Sequence, residues 1–254
     1  MTQGTARFQG LPGIQQIIAF TSSRGGVGKS TLCVNLAIAL VEKGKKIGLL
    51  DADVEDPALL ALMGIQDKPE SKDGRIIPLE EYGVKVIPLE ALLQEAQLEA
   101  FLIRERLLEV AWGELDCLLV DLPPGWGRTT CTIAQAIPLT GTVLIMTPQQ
   151  AAMTSLGKGV ELFRQLHIQV LGIIENMSFL LCPYCLKGIE VFGHGVGRML
   201  SLRLKIPLLG EIPLDLELRA CSERGEAIAV EHPDSAIAEV LRRVTKNLIE
   251  KLVS

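Results

Sequence analysis

The sequence has no basic excess, no long apolar run, no cysteine framework and no internal repeat, and each absence closes off a class of protein. Its 25 basic residues are outnumbered by 30 acidic ones, for a formal net charge of −5 spread along the chain. That balance leaves no electrostatic footprint for nucleic acid. No stretch approaches the roughly 18 apolar residues that a membrane span needs. The opening MTQGTARFQGLPGIQQ lacks the charged start and apolar run of a secretory signal. The expected location is therefore the cytoplasm, with no stable membrane association. Six cysteines in no framework pattern fit a reducing compartment, where thiols stay free or bind metal.

What is present is material for a core. The chain has 254 residues, 48% of them hydrophobic, enough for one larger α/β domain over residues 1–254 with residues 1–13 flexible. Apolar runs rich in β-branched residues, namely QIIAFT, KIGLLD, GVKVIPL, DCLLVDL, GTVLIMT, QVLGIIEN and KIPLLGEIP, read as strands buried on both faces. Helical patterns lie between them, clearest at Ser30–Lys43, Glu99–Ala111, Ser155–Leu166, Val196–Leu204 and Ile237–Leu252. Gln66–Pro78 is polar enough for a surface loop. This rhythm predicts a doubly wound, mostly parallel sheet with helices on both faces, and such sheets bind ligands where their strands end.

The strongest motif sits at such an end. TSSRGGVGKST, Thr21–Thr31, follows the first strand and opens a helix. Gly25, Gly26 and Gly28 let the backbone curl so that its N–H groups, that of Val27 included, point at phosphate oxygens. Lys29 reaches the β- and γ-phosphates, and the Ser30 hydroxyl suits Mg²⁺. Thr31 faces the α-phosphate. The helix start adds partial positive charge. LLVDLPPGWG, Leu118–Gly127, is an apolar strand ending in Asp121, a carboxylate suited to hold Mg²⁺ through water, and then a Pro-Gly turn able to sense a γ-phosphate.

RGGVGKST resembles the deviant Walker A loop of the MinD, ParA, nitrogenase-iron-protein and Mrp ATPases, which usually has lysine at the position of Arg24. In that family the early cation reaches across a dimer interface to the partner's nucleotide, so the resemblance gives Arg24 a catalytic part in trans. LLDADVEDPAL, Leu49–Leu59, resembles the family's first switch. There the second aspartate, Asp53, acts on the attacking water and Asp51 has a supporting role. Asn176, in GIIENMS, matches the adenine-recognising asparagine. MTPQQAA and IPLD match Mrp-type stretches as well. From about Leu11 to Gly225 the chain is most similar to the Mrp/ApbC iron–sulfur cluster carrier ATPases, whose mark is ENMS followed by Cys-Pro-x-Cys, here Cys182 and Cys185. That resemblance implies ATP and Mg²⁺ as ligands, slow hydrolysis, apo iron–sulfur proteins as clients and possible contact with a scaffold protein.

Two thiols per chain do not complete a metal site, which leaves several readings of CPYC in the 177–192 loop. A homodimer brings four thiolates to one axis, enough for a [4Fe–4S] cluster and equally for tetrahedral zinc. A thiol-redox pair is a third possibility, although such pairs ordinarily open a helix. Cys33, Cys117, Cys131 and Cys221 are expected as small buried hydrophobes, and His194 as a loop histidine without a metal role. Two departures from the Mrp pattern affect nucleotide sensing. Trp126 and Arg128 stand in the second switch, and Asp56 and Ala58 flank the proline of the first. The rival functions are a MinD/ParA-like positioning ATPase, supported by the basic amphipathic C-terminal pattern, and a nickel- or zinc-inserting ATPase.

Overall fold

The computed structural model describes residues 10–93, 98–149, 151–182, 184–185, 187–193 and 195–252, with backbone alone for 151–154. The expectations for residues 1–9 and for His194 lie outside the described residues. β1 (Ile14–Ser22) runs through the glycine loop into α1 (Lys29–Val41), and β2 (Ile47–Asp51) is followed by the one-turn α2 (Leu59–Leu62). A short ribbon, β3 (Glu70–Lys72) and β4 (Arg75–Ile77), precedes β5 (Leu79–Glu81) and β6 (Val84–Pro88). Next come α3 (Ala100–Glu109), β7 (Leu115–Asp121), α4 (Arg128–Ala136), β8 (Gly141–Met146) and α5 (Ala151–Gln165). The order closes with β9 (Gln169–Leu181), β10 (Gly188–Ile189), α6 (Val196–Leu204), β11 (Leu208–Leu214), α7 (Leu216–Arg224), α8 (Ile228–Glu231) and α9 (Ala236–Leu252).

The main sheet is ordered β10-β9-β8-β1-β7-β2-β6-β5, with β11 on β9. Its pairings are parallel except those of β5 with β6 and β10 with β9. Successive strand residues point to opposite faces, and both faces are covered. Ile18, Phe20, Leu119 and Val143 pack with α1 and α9, while Ile17, Ala19, Val120 and Leu144 pack with α3 to α6. Burial on both sides is why these strands read as continuous apolar runs. The fold is the expected doubly wound sheet, and its parallel strands deliver their carboxyl ends to one edge.

Three local expectations are corrected. Gln66–Pro78 is not a plain loop: it contains the β3–β4 ribbon, turned at Asp73 and Gly74, both with positive φ (52° and 76°), as a two-residue primed turn requires. The 177–192 segment is not a loop throughout. β9 continues to Leu181, and β10 pairs with its end through Leu181↔Gly188 and Leu180↔Ile189. Cys131, on α4, is half-buried rather than buried. The C-terminal stripe packs on the sheet: Ile237, Leu241, Val244 and Leu248 are core residues, and Gly210 leaves room for Val244 against β11. Among the described residues, no helix is long and apolar enough to cross a membrane.

Candidate functional site

The glycine loop turns tightly because Gly26 and Gly28 adopt φ of 76° and 81°, a region open to residues without a Cβ. A Cβ on Gly28 would also strike the side-chain amide of Asn176. Gly28 caps α1 without a side chain, so the first N–H groups of the helix keep no side-chain acceptor and present partial positive charge. Lys29, 6% exposed, extends its Nζ to within 2.6 Å of Asp121 Oδ1, and Ser30 Oγ donates to Asp121 Oδ2 at 2.6 Å. Burial pushes the Asp121 carboxyl above its ordinary pKa, while the charge and hydrogen bond of Lys29 and the Ser30 hydroxyl oppose that shift. A cation, a hydroxyl and a carboxylate thus converge at the mouth of the loop. The hydroxyl and carboxylate are hard oxygen donors of the kind Mg²⁺ selects.

β2 ends one strand away, with Asp51 in register with Asp121. Asp51 Oδ1 accepts the Asp53 N–H at 3.2 Å, and its Oδ2 accepts those of Ala58 and Leu59 at 2.9 Å each. Both ends of the 52–58 loop therefore hang on one carboxylate. Burial raises the Asp51 pKa from 3.8 to about 6, against the pull of the Leu59 N–H. Asp53 is also buried, which pushes its pKa up, and the Lys29 charge is the main opposing influence. Asp53, Glu55 and Asp56 line one hollow with Arg24 and the glycine loop. The Asp56 substitution noted in the sequence therefore faces the same space.

Two contacts were not legible beforehand. Arg24 Nη2 donates to Thr147 Oγ1 of the same chain at 3.1 Å, and the buried Thr147 follows β8 directly. Trp126 anchors the Pro-Gly turn to α5: its Nε1 donates to the Ser155 carbonyl at 2.8 Å, and its ring meets Phe163 edge-on at 6.4 Å. Gly159 makes space for the indole, since a Cβ there would fall 2.5 Å from the ring. Nothing in the structure assigns a role to Arg128.

The hollow at the phosphate loop, about 320 Å³, continues into a larger one of about 400 Å³, and Gly28, Thr31 and Leu62 belong to both walls. The larger hollow is walled by Asn176, Met177 and the Pro213–Asp215 turn. Asn176 Nδ2 donates to the Val27 carbonyl at 2.8 Å, which ties β9 to the glycine loop. Just beyond the end of that strand, at Leu181, come the cysteines. Cys182 is half-buried and Cys185 exposed, and both are free. The Cys182 N–H donates to the Lys187 carbonyl at 3.0 Å and closes the hairpin. The Tyr184 N–H, and after it the Cys185 N–H and thiol, donate to the Cys182 sulfur and hold its pKa below the ordinary thiol value. Such support favours thiolate, the form that ligates metal. Among the described residues, no group of three or more His, Cys, Asp or Glu is arranged to hold a metal.

The Asp51 geometry predicts a pH dependence. A carboxyl whose folded pKa lies above its unfolded one binds more protons in the fold, so its contribution to stability falls as pH rises through that interval. A rise from 3.8 to about 6 corresponds to about 3 kcal/mol. Relative to Asp51→Asn, the wild-type chain should lose about that much stability between about pH 3 and about pH 7, with little change above. Urea unfolding across that range measures it, and parallel profiles would contradict the assignment.

Comparison with known proteins agrees with this geometry. Residues 13–249 match the family described as ParA, the NUBPL iron-transfer P-loop NTPases. The chain is 39% identical to an iron-sulfur cluster carrier protein of Aquifex aeolicus, over 96% of this chain and 70% of that one. It is 34% identical to the mouse iron-sulfur cluster transfer protein NUBPL, over 100% of this chain and 83% of that one. Among solved structures, a nucleotide-binding protein from Archaeoglobus fulgidus in complex with ADP superposes with a TM-score of 0.80 at 38% identity, covering 91% and 93% of the two chains. MinD of Pyrococcus horikoshii with Mg-ADP, at 21% identity and a TM-score of 0.74 over 94% and 98% of the chains, shares the fold. The chain belongs to the NUBPL iron-transfer family of ParA-type P-loop NTPases.

Proposed function

We propose that this chain is a slow ATPase that carries iron–sulfur clusters, holding one [4Fe–4S] cluster as cargo between Cys182 and Cys185 of two copies. One observation carries the reading. Among the described residues, the one pair of neighbouring thiols outside the core, Cys182 and Cys185, stands at the tip of a hairpin that continues the strand lining the nucleotide cleft. Two ligands are too few for a cluster, and no third metal-binding side chain joins them among the described residues. A twofold axis supplies the other pair. A site shared this way opens when the subunits separate, which suits transfer to an apo client protein. The relatives' names as cluster carrier and transfer proteins support the same cargo.

In this reading the N–H groups of Gly25, Gly26, Val27 and Gly28 cradle ATP phosphates. Lys29 turns from Asp121 toward the β- and γ-phosphates, and Thr31 meets the α-phosphate. Ser30 and Asp121 would hold Mg²⁺, which would supply positive charge against the phosphates. Asn176 reads the adenine edge with the amide that faces the larger hollow. Asp53 orients the attacking water, and Arg24 leaves Thr147 to serve the partner's nucleotide. The cytoplasm, where thiols stay reduced, is the compartment that keeps Cys182 and Cys185 available. Packing of the C-terminal stripe into the core removes the observation that favoured a membrane-positioning ATPase.

Anaerobic reconstitution with iron and sulfide tests the cargo. Cys182→Ser and Cys185→Ser should each lose nearly all bound iron while ATP affinity stays within about threefold, because the thiols make no phosphate contact. Iron content equal to wild type would reject the pair as ligands, and a colourless zinc-loaded wild-type chain would reject the cluster. For the nucleotide site, Asp53→Asn should retain ATP binding and lose about 100-fold or more in turnover. Mixing Arg24→Ala with Lys29→Ala subunits should restore part of the activity that each lacks alone, since a mixed dimer keeps one intact loop facing one intact arginine. No recovery where mixed dimers form would place Arg24 in its own subunit's site.

A further inference from the structure

β9 does not run evenly into the cysteine hairpin. Its ladder with β11 is in step at Glu211↔Glu175 and Ile212↔Asn176, and the next pair is Leu214↔Leu180. Pro213 alone therefore faces Met177, Ser178 and Phe179. The proline has no N–H to give a ladder, and the bulge forms opposite it. Met177 adopts a φ of +56°, a left-handed conformation that is costly for a residue bearing a Cβ and persists only where its surroundings impose it.

Those surroundings are three side-chain ties on consecutive or near-consecutive residues. Glu175 accepts the Gly197 N–H at the start of α6, Asn176 donates to the Val27 carbonyl of the glycine loop at 2.8 Å, and Ser178 Oγ donates to the Ile212 carbonyl at 3.0 Å. Glu175 thereby holds the start of α6 on the near side of the bulge, where a Cβ on Gly197 would come within 3.0 Å of the Glu175 side chain. The outgoing leg leaves on the far side of the bulge and reaches Cys182 five residues after Met177. The strand is thus tied before Met177 by Glu175 and Asn176 and after it by Ser178, and both legs of the hairpin, paired with each other, lie beyond the bulge.

Met177 also faces the cleft. Its half-buried side chain is part of the wall of the larger hollow beside Asn176 and Pro213, and its methyl lies next to Gly28. A flat ring in that hollow packs against a thioether favourably. We propose that Met177 is a positioning residue through which a nucleotide in the cleft sets the stance of the cysteine hairpin. The route is steric: the base presses the thioether, the backbone of Met177 leaves or keeps its left-handed state, and the strand beyond the bulge shifts with it. The purpose of this joint rests on the cluster reading above, but its existence does not.

The test therefore uses metal-free, reduced full-length protein. N-ethylmaleimide modification rates of Cys182 and Cys185 are read residue by residue by mass spectrometry, with and without saturating Mg-ADP, and calorimetry on the same samples verifies occupancy. In the wild type, ADP should change at least one rate by about fivefold or more, the lower end of ordinary coupling between sites. Met177→Leu keeps a side chain of similar reach and should keep that response. In Met177→Gly, at Mg-ADP concentrations where calorimetry shows full occupancy, the ratio should come close to one, since glycine has no side chain to press and no preference against either backbone state. A full response in Met177→Gly, no response in the wild type, or loss of the response in Met177→Leu as well would each overturn the proposal. A chain that shows the response but takes up no iron would overturn the cluster reading alone.

Discussion

The buried contact between Lys29 and Asp121, 2.6 Å long, fixes what the rest of the site can be. An ammonium at 6% exposure and a fully buried carboxylate cannot be left singly in that position, because an uncompensated buried charge costs several kcal/mol. The glycine loop after β1 and the end of β7 must therefore meet, and the parallel pairing of those two strands is what brings them together. Stability alone does not account for the pair, since apolar residues of like volume would serve the fold as well. In the proposed function the pair has a chemical use: the cation suits phosphate, and the hydroxyl and carboxylate suit Mg²⁺.

From that contact the structure extends in two directions along the same sheet edge. Toward β2, Asp51 gathers the N–H groups of Asp53, Ala58 and Leu59, so the loop that carries Asp53 is fixed by a buried carboxylate rather than by packing. Toward β9, Asn176 joins the glycine loop to a strand that ends in the cysteine hairpin. The glycine loop and the thiols are therefore joined through one strand, and among the described residues between Asn176 and Cys182 the bulge at Met177 breaks its regularity. The geometry offers a short path between the two sites without large domain movement.

Much of this was legible in the sequence because buried parallel strands and phosphate loops leave strong marks. All seven apolar runs became strands, and Val196–Leu204 became a helix with the expected bounds. The weaker features failed for physical reasons. The β3–β4 ribbon has only three residues a strand, mostly exposed, with Ile76 alone packed toward the core, so no alternation announced it, although Asp73-Gly74 was a primed-turn signal. The hairpin around CPYC is held by a few cross-strand bonds, which composition does not reveal. The grouping of Gly25, Gly28, Lys29, Ser30 and Asp121 was readable from spacing and chemistry. The Arg24–Thr147 contact, the Trp126 anchor on α5 and the three ties of Glu175, Asn176 and Ser178 join residues that are distant in sequence, and only the folded chain brings them together.

The central claim is that two copies of this 27.6 kDa chain share one cluster through four thiolates. Sedimentation velocity of the anaerobically reconstituted protein, followed at the visible absorbance of the cluster, tests it most directly. The account predicts that the coloured species sediments at twice the chain mass and carries about two iron atoms per chain, one four-iron cluster per pair. A full four-iron cluster moving with a single chain would contradict it.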